Sequence, residues 1–354
     1  MTTFEEIVTA PDLRGRKLSG PVIAGIAAAA VLVSLGLFAV TGLAGDADFV
    51  VFTVLLFVVG LTVTSFAVEG RRQAKDRLFT TAVWAAFVLA VTPLILIIWL
   101  TVRRGIGTIS SKFLTVSMFR VDTDEAGGGI YHAIVGTLEQ ALLATVIAAP
   151  LGILAAIYLV EYGAGRRFAR AVSFFVDVMT GVPSIVAGLF IYTVWILIFG
   201  FSKSGFAGSL ALLILMLPVT IRSSEEMLKL VPAELREAAY ALGVPKWRTI
   251  LRVVLPTALA GIVTGVMLGV ARIMGETAPL LLLVGINEKI NGNPFKGTQE
   301  ALPTFIFEQF QQATGNADAP AAHRAWGAAL ALIVLIGLLN AIARLVARFA
   351  GVRS

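Results

Sequence analysis

The stretch ELREAAYALGVPKWRTILRVVLP, Glu234 to Pro256, is a charged excursion set between two strongly apolar segments. Pro232 suits a first helical turn, and Leu235, Ala238, Ala239 and Leu242 recur at offsets 0, 3, 4 and 7, so they share one helical face. Gly243 supplies a natural stop. A second helix is expected from Pro245, presenting Trp247, Ile250, Leu251 and Val254 at the same spacing, with Lys246, Arg248 and Arg252 elsewhere on its surface. Such an L-shaped pair of amphipathic helices is suited to docking into a groove on a soluble partner.

The rest of the chain explains why that excursion stands out. Of 354 residues 58% are hydrophobic and only 14% charged, a balance that a water-soluble globule could carry only by exposing large apolar patches. Apolar runs near the ~20 residues needed to cross a ~30 Å hydrocarbon core recur along it, and no alternating strand pattern competes. The fold class is therefore all-α and polytopic, with about eight transmembrane helices. They are expected at roughly 21–43, 49–69, 80–102, 130–160, 171–200, 205–222, 255–285 and 324–347.

Basic residues give the direction. With the N-terminal tail inside, inner segments hold Arg14, Arg16 and Lys17, then Arg71, Arg72, Lys75 and Arg77, then Arg166, Arg167 and Arg170, then the opening stretch, then Arg344, Arg348 and Arg353. Outer segments hold fewer, although Arg103, Arg104, Lys112 and Arg120 cluster in one of them. Both ends are thus expected in the cytoplasm, and the net charge of +6 is read as topology and not as nucleic-acid binding. The first twenty residues mix acids and bases without an apolar core and read as a cytoplasmic tail. Pro93, Pro150, Pro183, Pro218 and Pro279 fall within the expected spans, where bends are anticipated. The long loop from 286 to 323 carries LPTFIFEQF, either a helix along the membrane surface or a capping helix of that loop.

Glu237-Ala238-Ala239, three residues, Gly243, nine residues, then Val253, Val254, Leu255 and Pro256 closely resembles the EAA loop of ABC importer permeases; only Val253 stands where that pattern has isoleucine. LPVTIRSSEEMLKLVPAELREAAYALGVPKWRTI and ARIMGETAPLLLLVG look like the phosphate importer permeases of the Pst system, and GETAPLL leans to the PstA type. The resemblance covers about residues 80–350. It implies a type I permease core of six helices over 80–354, with a cytoplasmic coupling loop at 223–252. Residues 1–79, the tail and two additional helices, lie outside that core. It also implies residence in the inner, cytoplasmic membrane among lipid. Glu237, Ala238, Ala239, Gly243, Leu255 and Pro256 couple to the ATP-binding subunit. The expected partners are a second, PstC-like permease, two ATP-binding subunits and an external phosphate-binding protein.

Ionisable residues inside spans are costly and usually face a cavity or a partner. Arg272 with Glu276 four positions on, and Arg222 with Glu225 three positions on, form two such sets, Glu226 lying beside the second. The resemblance implies that these are the functional charges of a phosphate path. A guanidinium offers a planar donor fork for two phosphate oxygens, and a nearby carboxylate keeps the anion from being held too tightly. A structural ion pair that fixes helix packing is the alternative for each. Glu139 and Asp177 also fall within expected spans; reaching water at an interface and proton coupling are their two readings.

Absences complete the sequence argument. The chain has no cysteine and two histidines, His132 and His323, which leaves no disulfide, no thiolate chemistry and no histidine-rich metal site. No G-x-x-x-x-G-K-S/T cradle, H-E-x-x-H or serine triad occurs, so no catalytic residue, cofactor or metal is assigned. ATP is expected to be hydrolysed by another polypeptide. Three rivals stay open at this point: an ABC permease for sulfate or molybdate, a proton-coupled secondary transporter, and a membrane scaffold.

Overall fold

A computed structural model describes residues 17–41, 46–122, 124–163 and 165–351. Arg14, Arg16 and Arg353, counted in the charge asymmetry, lie outside the described residues. All regular structure among the described residues is helical, and the chain divides into two compact units, Met1–Trp99 and Leu100–Ser354.

In the first unit, α1 (Gly20–Thr41) pairs with α2 (Asp46–Val68), and α3 (Arg71–Gly105) begins after a tight turn at Gly70. That turn is closed by Glu69, which accepts from Arg77 Nε at 2.6 Å, from Ser65 Oγ at 2.6 Å and from the Leu18 N–H at 2.6 Å. The Arg77 guanidinium holds the Glu69 carboxyl down at about 2. The 35 residues of α3 extend about 50 Å, longer than the ~30 Å hydrocarbon core.

In the second unit, α5 (Tyr131–Ile157, prolonged by a π turn at Tyr158–Tyr162) runs beside α8 (Gly205–Lys229). Ser204 starts α8 by accepting the Ala207 N–H at 3.2 Å. α8 is central: 61% of its most apolar stretch is buried, against 33% or less in every other candidate span. α11 (Leu255–Met274) lies along α8, and Gly265 makes this approach possible, because a Cβ there would collide with the Ser223 side chain. α14 (Pro320–Gly351) packs on α11.

Seven helices among the described residues are long and apolar enough to cross a bilayer. The expected span 171–200 is not one of them. It is a bent pair, α6 (Arg167–Thr180) and α7 (Ser184–Ile191, continued by a π turn to Ile198), meeting at 105°. Gly181 and Val182 precede Pro183, which pushes its predecessor out of helical geometry and starts α7. The expected span 255–285 is also broken, at Gly275–Thr277, before a short α12 (Ala278–Leu283) whose first turn holds Pro279. Pro93, Pro150 and Pro218, by contrast, lie within continuous helices. α8 outlasts its expected end at 222 by two turns, so residues 223–229 of the expected coupling loop are helix and the loop begins after Lys229.

At the Tyr131 end of α5, α4 (Ser111–Thr115) and α13 (Leu302–Gln312) form a cap around Phe113, Met118, Ile130, Leu302 and Phe305. Leu302, Thr304, Phe305 and Gln309 are buried in it, which makes LPTFIFEQF a capping helix of its loop. At the Tyr162 end lie α9 (Ala233–Ala241) and α10 (Lys246–Thr249).

Candidate translocation and coupling site

The charged excursion folds as a bent helical segment, but its second arm is not separate. α10 passes through a π turn, Ile250–Val254, directly into α11, where Pro256 occupies the first turn. The bend is a Schellman closure: the Val244 N–H donates to the Ala239 carbonyl at 3.1 Å and the Gly243 N–H to the Tyr240 carbonyl at 2.9 Å. Gly243 holds φ +74°, the left-handed region that glycine adopts without a Cβ penalty. Ala239 is buried and lets α9 rest against the π turn. Leu255 is half-buried, and Glu237 and Ala238 are exposed.

The sequence spacing placed Leu235, Ala238, Ala239 and Leu242 on one apolar face, yet only Ala239 is covered. Leu242 is 84% exposed, and Leu235, Tyr240, Trp247 and Leu251 are exposed beside it. An uncovered apolar surface on a charged loop is a feature of interaction sites.

Two side chains tie this segment to the spans. Arg236 donates to Glu161 Oε1, with Nη2 at 2.9 Å, and to the carbonyls of Val231 at 2.7 Å and Leu228 at 2.9 Å. Lys246 donates to the Glu161 carbonyl and sits over the Tyr162 ring, 4.9 Å from its centroid. Glu161 belongs to the end of α5 and Leu228 to the last turn of α8, so the segment grips two helices and continues into a third. None of these contacts was assigned from sequence.

Of the four expected path residues, the structure brings Arg222 and Glu225 together, Arg222 Nη1 to Glu225 Oε2 at 2.5 Å. It adds three groups to them. Arg222 Nη2 reaches Asp177 Oδ1 at 2.5 Å and both the carbonyl and hydroxyl of Ser173 at 2.9 Å, all on α6, and Lys229 Nζ binds Glu225 Oε1 at 2.7 Å. Asp177, read from sequence as a residue near an interface, is thus the cross-helix partner of Arg222.

Arg272 and Glu276 are not brought together. α11 ends at Met274, so Glu276 leaves the helical face that would have aligned it, and no ion pair joins the two among the described residues. Arg272 is exposed on this chain and Glu276 half-buried. With Gly265 set against Ser223, Arg272 lies seven residues, about 10 Å, further along α11 toward the cap than the level of Arg222. The two arginines occupy successive levels and not one cluster.

Glu139 accepts from Gln299 Nε2 at 2.5 Å, and Gln299 also donates to the Asn291 carbonyl, so Glu139 fastens the cap loop to α5.

A profile of the family described as "binding-protein-dependent transport system inner membrane component" matches residues 148–351. The phosphate transport system permease protein PstA 1 of Mycobacterium tuberculosis (strain CDC 1551) is 48% identical over 284 residues, 80% of this chain and 91% of that protein. PstA of Mycobacterium leprae (strain TN) is 48% identical over 271 residues, 76% of this chain and 88% of that one. Among solved structures, a bacterial ABC transporter involved in the import of the acidic polysaccharide alginate aligns at TM-score 0.50 and 15% identity. That likeness covers 78% of this chain and 99% of the other, and it is one of fold alone.

Proposed function

The chain belongs to the PstA family of phosphate transport permeases, and we propose that it forms half of the membrane path of an ATP-driven importer of inorganic phosphate. The other half is a homologous, PstC-like permease; of two ATP-binding subunits, one docks on α9 and α10 of this chain, and an external phosphate-binding protein delivers the anion to the cap. Both termini and the α9–α10 segment face the cytoplasm, and α1 and α2 are additions outside the six-helix core. Arg222 and Arg272, with Glu225 and Glu276, serve the anion, and Glu237, Ala238, Ala239, Gly243, Leu255 and Pro256 serve coupling.

One observation carries this reading: an exposed apolar and charged segment is fixed through Arg236 to the same helix that bears Arg222. A motor pressing on α9 moves α8 with it. The donors of Arg222 are engaged by Asp177, Glu225 and Ser173, so the anion gains this guanidinium only as α6 and α8 separate. Arg272, exposed on this chain and nearer the cap, meets the anion first. Glu139 and Asp177 each have a polar partner that fixes them in place, which favours structural roles over proton carriage.

The test is ATP-driven uptake by the reconstituted complex. Labelled phosphate should enter only with an active ATP-binding subunit, and excess phosphate, but not sulfate or molybdate, should compete. Equal competition by sulfate overturns the substrate; uptake that survives an inactive ATP-binding subunit and collapses with the proton gradient overturns the mechanism.

A further inference from the structure

At the cap end of the bundle lies a buried acidic group with no part in the path just described. Glu300, in the loop before α13, is 3% exposed, and Glu308 on α13 is half-buried. Both face one cavity, and Glu288 adds a third carboxyl to it. Glu288, Glu300, Glu308, Gln309 and Gln312 line a cavity of about 20 Å³. From α5, His132, itself 3% exposed, sets Nε2 3.4 Å from Glu300 Oε2, yet neither ring nitrogen has a hydrogen-bond partner among the described residues. Buried Glu300 Oε1 has none either. The neighbouring cations are engaged: Arg324 of α14 with Gln309 at 2.7 Å and the Glu125 carbonyl at 2.8 Å, and Lys289 over the Phe119 ring at 4.6 Å. Gln312 donates to Glu308 Oε1 at 2.8 Å.

An ionised carboxylate buried without a partner is costly, and Glu300 Oε1 has none among the described residues; like charges facing one small cavity also repel. The arrangement favours a state in which one of the two holds a proton. The cavity has room for about one water and none for a hydrated ion. No group of three or more acidic or histidine side chains among the described residues could hold a metal ion.

We propose that Glu300 and Glu308 form a proton-binding site, sharing one proton drawn from the medium at the cap, and that this proton holds α13 against the loop before it. The ligand is the proton itself. Burial pushes both carboxyls up, each to about 7, and for Glu308 the Glu300 charge adds to burial. Because the folded pKa is raised above the ordinary 4.5, the folded cap binds protons that the opened cap would release. Its contribution is present at low pH and is lost as pH rises through about 7. Above that, Glu288, Glu300 and Glu308 repel one another and α13 loosens.

The test uses infrared spectra of the whole complex in detergent, following the C=O band of protonated carboxyl groups, together with amide hydrogen exchange of α13. Wild type is expected to lose band intensity as pH rises through about 7, with α13 exchange accelerating beyond its intrinsic pH dependence. Glu308→Gln puts an uncharged amide in the cavity beside Glu300; it should lack that band change and flatten the excess exchange. Glu300→Gln should do the same, and if it fails to assemble the Glu308→Gln spectrum decides alone. A band change that survives Glu308→Gln, or no protonated band at about pH 6, overturns the proposal. So does a midpoint that moves with sodium concentration at fixed ionic strength, since a metal cation would then be the occupant. The spectrum is read without transport, so this proposal and the phosphate reading fail separately.

Discussion

Replacing Arg236 with alanine should release the α9–α10 segment from the membrane helices. The Arg236 side chain is 18% exposed and that of Glu161 5%, so the variant leaves a nearly buried carboxylate without its guanidinium and removes a donor from the carbonyls of Val231 and Leu228. Breaking a fully buried pair costs about 3–5 kcal/mol. Here Lys246 stays close, bound to the Glu161 carbonyl, and water can enter from the loop edge, so about 2 kcal/mol is the better figure. That corresponds to an approximately 30-fold rise in the population with α9 lifted. Amide exchange in α9 should accelerate by about that factor, with exchange in the centre of α8 unchanged. In proteoliposomes, phosphate moved per ATP hydrolysed should fall while the subunits remain assembled. Arg236→Lys keeps the charge without the fork and should recover part of the effect. Glu161→Ala should resemble Arg236→Ala, and the double variant should cost clearly less than the sum of the two. Unchanged α9 exchange with a normal transport ratio, or strict additivity in the double variant, refutes the latch.

Gly243→Val forces a branched side chain into φ +74°; the site is open around a Cβ, so the loss is backbone strain of about 1–2 kcal/mol, expected to lower transport per ATP without preventing insertion. Arg222→Gln should abolish uptake with assembly retained, measured by co-purification and labelled-phosphate uptake, whereas Asp177→Asn should reduce it less. Arg272→Gln should also abolish uptake without loss of assembly; loss of assembly instead assigns Arg272 to packing. Gly265→Leu collides with Ser223 and should lower complex stability by about 1–3 kcal/mol, read as a lower Tm.

Much of this fold was legible because lipid forces each spanning helix to satisfy its own backbone, and long apolar runs therefore report it directly. The Arg222 and Glu225 pair was legible for a similar reason: three residues along one helix fix both side chains locally. Asp177 was not, since it meets Arg222 across 45 residues of chain, nor was Glu161, 75 residues from Arg236. Contacts of that range depend on helix packing, which a single sequence does not encode locally. The Arg272 and Glu276 pairing failed because the helical spacing was extended through Gly275, although Pro279 four residues later already marked the start of a new helix. The tripled glycine spacing at Gly261, Gly265 and Gly269 was the unused signal for the close α8–α11 approach.

The two bonds that Arg222 makes to carboxylates are not equivalent, and the difference assigns them separate tasks. Glu225 lies on α8 itself, three residues away and 9% exposed, so rigid motion of the helix carries donor and acceptor together and leaves that bond intact. Asp177 lies on α6, with its side chain 66% exposed, and an ion pair so open to water contributes about 1 kcal/mol or less. Any displacement of α8 relative to α6 therefore breaks the Asp177 bond first. Arg236 grips the Leu228 carbonyl six residues beyond Arg222, about 9 Å along a continuous helix, so movement of α9 arrives at the arginine with little lost to bending. The 105° turn at Gly181–Pro183 separates the axis of α6 from that of α7. Under the proposed function, Glu225 would keep the guanidinium oriented as α8 moves, and Asp177 would be the group whose departure opens it to an anion.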